Sequence, residues 1–234
     1  MPQNLLLLLF GGGPQGTHFN LRFIDILRYT YSFTPFMRDV LTGLMLGDGC
    51  LILDFSKRSI NPCLSFSQSL VNVRYFLDVW IIFNSLSNSM PGRPQKRFDS
   101  RTGKTYYTLQ FISRNAYAFW VFYEAWYPNG YKVIPDSIFE DLTPAALAHW
   151  IMCDGSANGY GLCLATQGFT FWEATRLASI LIYKFGLVVS VQNQTYTTGV
   201  KPRLYVSYSS MPALVKIVRP FFSPSMAYKL GKHW

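Results

Sequence analysis

Apolar and polar positions along this chain follow one plan that is written twice. At Thr34-Pro35 a run of apolar and small residues begins and ends at Asp48-Gly49; at Thr143-Pro144 a second such run begins and ends at Asp154-Gly155. A threonine hydroxyl satisfies an orphan amide at a helix entrance, and proline fits the first helical position, where its missing N–H costs nothing. Both runs therefore predict helices, with the glycines as stop signals just past the last turn. Alternating segments of strand type follow, Cys50–Phe55 and Cys63–Ser67 in the first copy and Tyr160–Thr166 in the second, the latter behind the hairpin signal Asn158-Gly159. Long helices are predicted over Leu70–Leu86 and Phe171–Phe185. The second starts with the capping box Thr170-Phe171-Trp172-Glu173, puts Phe171, Ala174, Ala178, Leu181 and Phe185 on one face, and ends at Gly186.

A second hairpin then appears in each copy. Gln95–Phe98 and Thr105–Ile112 flank Thr102-Gly103; Val189–Tyr196 and Arg203–Tyr208 flank Thr198-Gly199. Helical stretches over Ala116–Trp126 and Pro212–Val218 close the copies. The chain thus reads as α+β, an internal duplication of helix, two strands, helix, two strands, helix. The boundaries that follow are an N-terminal extension (1–33) with Gly11-Gly12-Gly13-Pro14 and a short amphipathic segment at Asn20–Tyr31, a first half (34–126), a linker (127–142) holding Pro128-Asn129-Gly130, and a second half (143–234).

Composition narrows the class. Of 234 residues, 50% are apolar and 14% charged, which excludes disorder, collagen and a charged coiled coil. Lys and Arg number 21 against 12 acids, a net charge of +9, so the exposed charge is mostly positive and a polyanion is the expected partner. The apolar run Leu5–Phe10 is too short for a bilayer, and Val71–Leu86 carries Arg74 and Asp78, so a basic soluble protein is expected rather than a membrane one. Cys50, Cys63, Cys153 and Cys163 form no C-x-x-C pair, so buried, reduced thiols in a reducing compartment are expected and a zinc site is not.

Candidate chemistry sits at the two helix ends. They read Leu41-Thr42-Gly43-Leu44-Met45-Leu46-Gly47-Asp48-Gly49 and Leu147-Ala148-His149-Trp150-Ile151-Met152-Cys153-Asp154-Gly155. Gly43, Gly47, Ala145 and Ala148 let two helix backbones approach closely. Packed side by side, the helices bring Asp48 and Asp154 together, where two carboxylates and two negative helix ends call for a cation. Oxygen donors suit Mg²⁺, with Mn²⁺ as a substitute, and such a pair suits phosphodiester hydrolysis; Ca²⁺, with its looser shell, is expected to support binding only. Alone, either Asp-Gly reads as a turn, and His149 reads as a core residue.

The two nonamers resemble the paired motifs of the LAGLIDADG homing endonucleases, over about Thr34 to Lys229. Among these the chain is most similar to single-chain enzymes of organellar introns, through Lys132-Val133-Ile134-Pro135, Leu142-Thr143-Pro144, Thr166-Gln167-Gly168-Phe169-Thr170 and Met226-Ala227-Tyr228-Lys229. The resemblance implies a duplicated αββαββα fold with pseudo-two-fold symmetry and two saddle-shaped antiparallel sheets. It implies that Asp48 and Asp154 bind metal with the carbonyls of Gly47 and Cys153, that Lys132 and Lys229 lie beside the reacting water, and that Gln68 and Gln167 order solvent there. It further implies a monomer in an organelle, the mitochondrion ahead of the chloroplast, cutting an intron-less allele to leave short 3′ overhangs.

The strands would read double-stranded DNA in the major groove through alternate side chains. Those sets hold Tyr106, Thr108 and Gln110 in one half, and Gln192, Gln194, Arg203, Tyr205 and Ser207 in the other; the two glutamines suit adenine and Arg203 suits guanine. Lys57, Arg58, Arg93, Lys96, Arg97, Arg101, Lys104 and Lys201 gather at hairpin tips and flanks, where phosphate contacts are expected. The rival readings are an intron-RNA maturase, a catalytically silent DNA-binding protein, and a membrane-surface protein using the positive charge.

Overall fold

Helix-entrance chemistry places the two motif helices. Thr34 Oγ1 accepts from the Met37 amide at 3.1 Å, and Thr143 Oγ1 from the Ala146 amide at 3.2 Å, each with proline in the first turn. A computed structural model describes residues 25–53, 60–87, 90–100, 103–197 and 199–234. Gly11–Pro14, Lys57, Arg58 and Arg101 lie outside the described residues. In chain order the elements are α1 (Asp25–Thr30), α2 (Pro35–Leu46), β1 (Gly49–Ile52), β2 (Cys63–Ser69), α3 (Val73–Ile82), β3 (Gln95–Asp99), β4 (Lys104–Ile112) and α4 (Trp120–Trp126). There follow α5 (Ile138–Asp141), α6 (Pro144–Asp154), β5 (Gly155–Asn158), β6 (Gly161–Ala165), α7 (Phe171–Phe185), β7 (Val189–Tyr196), β8 (Gly199–Val206) and α8 (Met211–Val218).

The strands form two four-stranded sheets of matching order, β1-β2-β4-β3 and β5-β6-β8-β7. In the first, Ser67 lies opposite Gln110 and Arg97 opposite Tyr106; in the second, Cys163 lies opposite Tyr205 and Gln192 opposite Arg203. Alternation assigns the faces. Leu109 and Phe111 are buried while Thr108 and Gln110 between and beside them are partly open; Leu204 and Val206 are buried while Arg203 and Tyr205 are partly open.

Two compact units result. One takes Leu51–Phe122 with the described residues before Thr34; the other takes Thr34–Cys50 and Tyr123–Trp234. The core of the first is aromatic, with Phe66 and Phe76 stacked at 5.9 Å and Phe33 edge-on to Phe119 at 4.9 Å. The second is built on α2 and α6, with Leu44, Leu147, Trp150 and Ile151 fully buried, and with Leu177 and Leu181 of α7 buried as well.

Local expectations were met unevenly. The capping box closes on both sides, Thr170 with Glu173, and Gly186 ends α7 in the left-handed region at φ 64°. Phe171 departs from the predicted stripe: it is exposed, while Leu177 and Ile180 take buried places. The helix predicted over Leu70–Leu86 is broken into a 3₁₀ turn, α3 and a second 3₁₀ turn, because Asn72 and Phe83 leave helical geometry. Gly155 follows the end of α6 without a left-handed cap, its φ being −74°. Glycine is required there by close approach instead: a Cβ would lie 2.8 Å from Ile151 Cγ2, and at Gly49 one would lie 2.9 Å from Leu44 Cβ. Of the thiols, Cys63, Cys153 and Cys163 are buried and Cys50 is exposed, since β1 turns its side chain outward. No helix among the described residues is long and apolar enough to cross a membrane.

Candidate active site

Glycine sets the distance between α2 and α6. A Cβ at Gly43 would strike Ala146 O and come within 2.6 Å of His149 Cβ; one at Gly47 would strike Cys153 Cβ and lie 3.3 Å from Cys153 Sγ. The same position at Gly47 is 3.6 Å from Asp154 Oδ2, so the chain entering Asp48 runs directly against the Asp154 carboxylate. The acids thus meet at one locus.

Electrostatics at this locus follow from that convergence. Burial raises the Asp154 pKa from the ordinary carboxylate range to about 7, the charge of Asp48 adds to the rise, and Lys229 and Lys132 oppose it. Both lysines are pushed below their ordinary value by burial, with the acids pulling the other way. Lys132 Nζ donates to Gly49 O at 2.7 Å, and Lys229 Nζ to Cys153 O at 2.6 Å. Each ammonium therefore caps a carbonyl next to one of the acids. Such an arrangement fits an oxygen-ligated divalent cation: two carboxylates, one of them pushed toward its neutral form by burial and by the charge of the other, and backbone carbonyls already attracting cationic groups. Among the described residues there is no cluster of three or more His, Cys, Asp or Glu, so protein ligands would leave room for water or phosphate.

His149 is buried in α6 and its pKa is pushed down to about 3 by burial, which keeps it neutral. Gln68 is buried on the core side of β2, where its Oε1 accepts from the Ser69 amide and Asn72 Nδ2, both at 3.1 Å. Gln167 is exposed in the turn after β6.

Two residues hold the Lys132 segment, a role that the sequence did not show for either. Glu173 Oε1 accepts the Ile134 amide at 2.8 Å while its Oε2 accepts from the amide and hydroxyl of Thr170. Arg176 donates to Pro135 O at 2.7 Å and Asp136 O at 2.9 Å. The capping box announced Glu173, but its second partner, about forty residues upstream, carries no local signal.

The sheets divide the remaining candidates. Tyr106, Thr108, Gln110 and Arg97 share the open face of the first sheet by register, whereas Lys96, opposite Tyr107, lies on the other face. Arg93, Lys96, Arg97 and Lys104 are exposed. On the second sheet Gln192, Gln194, Lys201, Arg203 and Tyr205 share one face, with Ser207 just beyond the end of β8. Within that set Arg203 Nη2 donates to Gln192 Oε1 at 3.1 Å.

The sequence profile of the LAGLIDADG DNA endonuclease family matches residues 38–214. The chain is 32% identical over 222 residues to a cytochrome b mRNA maturase bI2 of Debaryomyces hansenii, covering 89% of this chain and 79% of that one. To the intron-encoded endonuclease ai4 of Dictyostelium discoideum it is 37% identical over 129 residues, 55% of this chain and 80% of that one. The homing endonuclease I-WcaI, solved bound to its DNA recognition sequence, shares the fold with a TM-score of 0.78 at 24% identity, covering 95% of this chain and 96% of that one. With two motif helices that converge on paired aspartates and two sheets of matching order, this chain belongs to the LAGLIDADG DNA endonuclease family.

Proposed function

We propose that the chain is a monomeric homing endonuclease of an organellar intron, making a Mg²⁺-dependent double-strand break in a long asymmetric DNA site. The observation that carries this is the convergence of Asp48 and Asp154 where Gly43 and Gly47 let α2 and α6 touch. Asp48 and Asp154, with the carbonyls of Gly47 and Cys153, would hold the cation. When bound, it supplies Lewis-acid stabilisation of charge on the scissile phosphate. Lys132 and Lys229 bring ammonium donors to the same place, able to exchange a carbonyl for the attacking water or a phosphoryl oxygen. Gln167, exposed beyond β6, is open to solvent, and Gln68 would have to leave its local partners to order solvent.

The two copies, 34–126 and 143–234, are read as two half-site arms joined by 127–142. Side chains two apart on a strand are spaced about 6.7 Å, close to two base-pair steps, so an open sheet face is matched to a run of base edges. The net charge of +9 supports binding to phosphate. The mitochondrion is the proposed compartment, because a relative at 32% identity is named for cytochrome b mRNA.

That relative's name also favours a second reading, assistance to intron splicing. One experiment separates them: a plasmid spanning the chain's own insertion site, incubated with and without Mg²⁺, beside the Asp48→Asn variant. Linear product is expected only with Mg²⁺, with Asp48→Asn at least ~100-fold slower and DNA affinity within about tenfold, since recognition lies on the strands. Wild-type cutting by Asp48→Asn would overturn the paired-carboxylate mechanism. No cutting, with tight binding to the intron RNA, would select the maturase.

A further inference from the structure

Gln192 and Arg203 face each other directly across β7 and β8, and Arg203 Nη2 donates to Gln192 Oε1 at 3.1 Å. A guanidinium has donors only, so the amide oxygen must be the end turned toward it, whatever ambiguity amide orientation usually carries. Among the described residues no carboxylate pairs with Arg203, and its Nε is buried without a hydrogen-bond partner. Its charge is therefore held in place by a neutral amide and left uncompensated on the open face. We propose that Gln192 is a positioning residue that holds Arg203 for guanine readout, and that it does not read adenine itself. The inference rests on the DNA-reading function proposed above.

Bidentate recognition of adenine by glutamine needs Oε1 for the N6 amino group and Nε2 for N7. Here Oε1 already accepts from a cation, and an incoming N6–H would approach a crowded, positively charged neighbour. What the pair offers a base is chiefly N–H groups, the Gln192 amide and the remaining Nη hydrogens of Arg203, while the second lone pair of Oε1 sits on an oxygen already bonded to a cation. A donor-rich edge matches guanine, whose major-groove edge carries the acceptors N7 and O6, better than the amino groups of cytosine and adenine. Gln194, opposite Lys201 two residues further along β7, makes no such bond among the described residues.

The test selects bound DNA from a fully randomised duplex library with wild-type protein and with Gln192→Ala, Gln192→Glu and Arg203→Ala, each checked for unchanged melting. A glutamate keeps an acceptor for Arg203 but has no N–H for adenine N7, so the two roles give opposite results for it. Expected is a guanine in the wild-type motif whose preference over the other bases falls about tenfold in Arg203→Ala and in Gln192→Ala, at the same position, and is retained in Gln192→Glu. The double variant should lose no more than Arg203→Ala alone. An adenine position that vanishes in both Gln192→Glu and Gln192→Ala, with the guanine intact, overturns the inference while leaving DNA recognition standing. A wild-type library without any enriched motif overturns sequence-specific recognition, and this inference with it.

Discussion

Replacing Asp154 by asparagine should stabilise the metal-free protein while abolishing its chemistry. The folded-state pKa of about 7 stands well above the carboxylate's ordinary value of 3.8, because burial and the Asp48 charge disfavour ionisation. A raised carboxylate pKa means that the folded chain binds more protons than the unfolded one between those two values. Stability therefore falls as pH rises through that window and is lowest above it. Three pKa units correspond to about 4 kcal/mol at pH 8, where wild-type folding must bear nearly the whole cost of the buried charge. Asparagine keeps the shape and has no charge to bury. In EDTA at pH 8, Asp154→Asn should melt roughly 8–16 °C above wild type, at about 2–4 °C per kcal/mol for a chain of this size. The gap should narrow to about 2 kcal/mol near pH 5 and close by about pH 3, where Asp154 is protonated in both states. Adding Ca²⁺ should close more than half of the gap, since only the wild type keeps both carboxylates; at a hundredfold excess over Kd the gain is about 2.7 kcal/mol, against a deficit of about 4 kcal/mol. Scanning calorimetry across pH, with EDTA or Ca²⁺, reads all of this. Asp154→Asn less stable than wild type in EDTA at pH 8 would refute the convergent-charge reasoning.

Gly43→Ala should destabilise the chain by about 1–3 kcal/mol in urea melts, because its new methyl meets Ala146 O and His149 Cβ with no room to yield. Lys132→Ala and Lys229→Ala should slow cleavage less than the loss of either acid, and unequally on the two strands, so nicked plasmid should accumulate; equal slowing of both strands would count against separate roles. DNA affinity should fall steeply between low and moderate salt, as expected for about 6–10 phosphate contacts, and a flat titration would point to apolar contacts instead.

What the sequence determined by itself is local or periodic. The threonine caps, the Thr170–Glu173 capping box, the Asn158-Gly159 turn and the strand alternation each depend on residues within a few positions of one another. The pairing of Asp48 with Asp154 was also legible, since Gly43 and Gly47 announce a close helix approach and the plan occurs twice. Tertiary structure decided the rest, because it depends on distances between residues far apart in the chain. Gly49 and Gly155 are glycines through contact with Leu44 and Ile151, not through a left-handed cap. Glu173 serves Ile134 as well as Thr170, Gln68 turns to the core side of its strand, and Arg203 finds Gln192 across the sheet. The Asp154 pKa likewise exists only once burial removes water and packing supplies Asp48 as a neighbour. Periodicity reports which face of an element is apolar; only packing fixes what that face, and the polar atoms beside it, will meet.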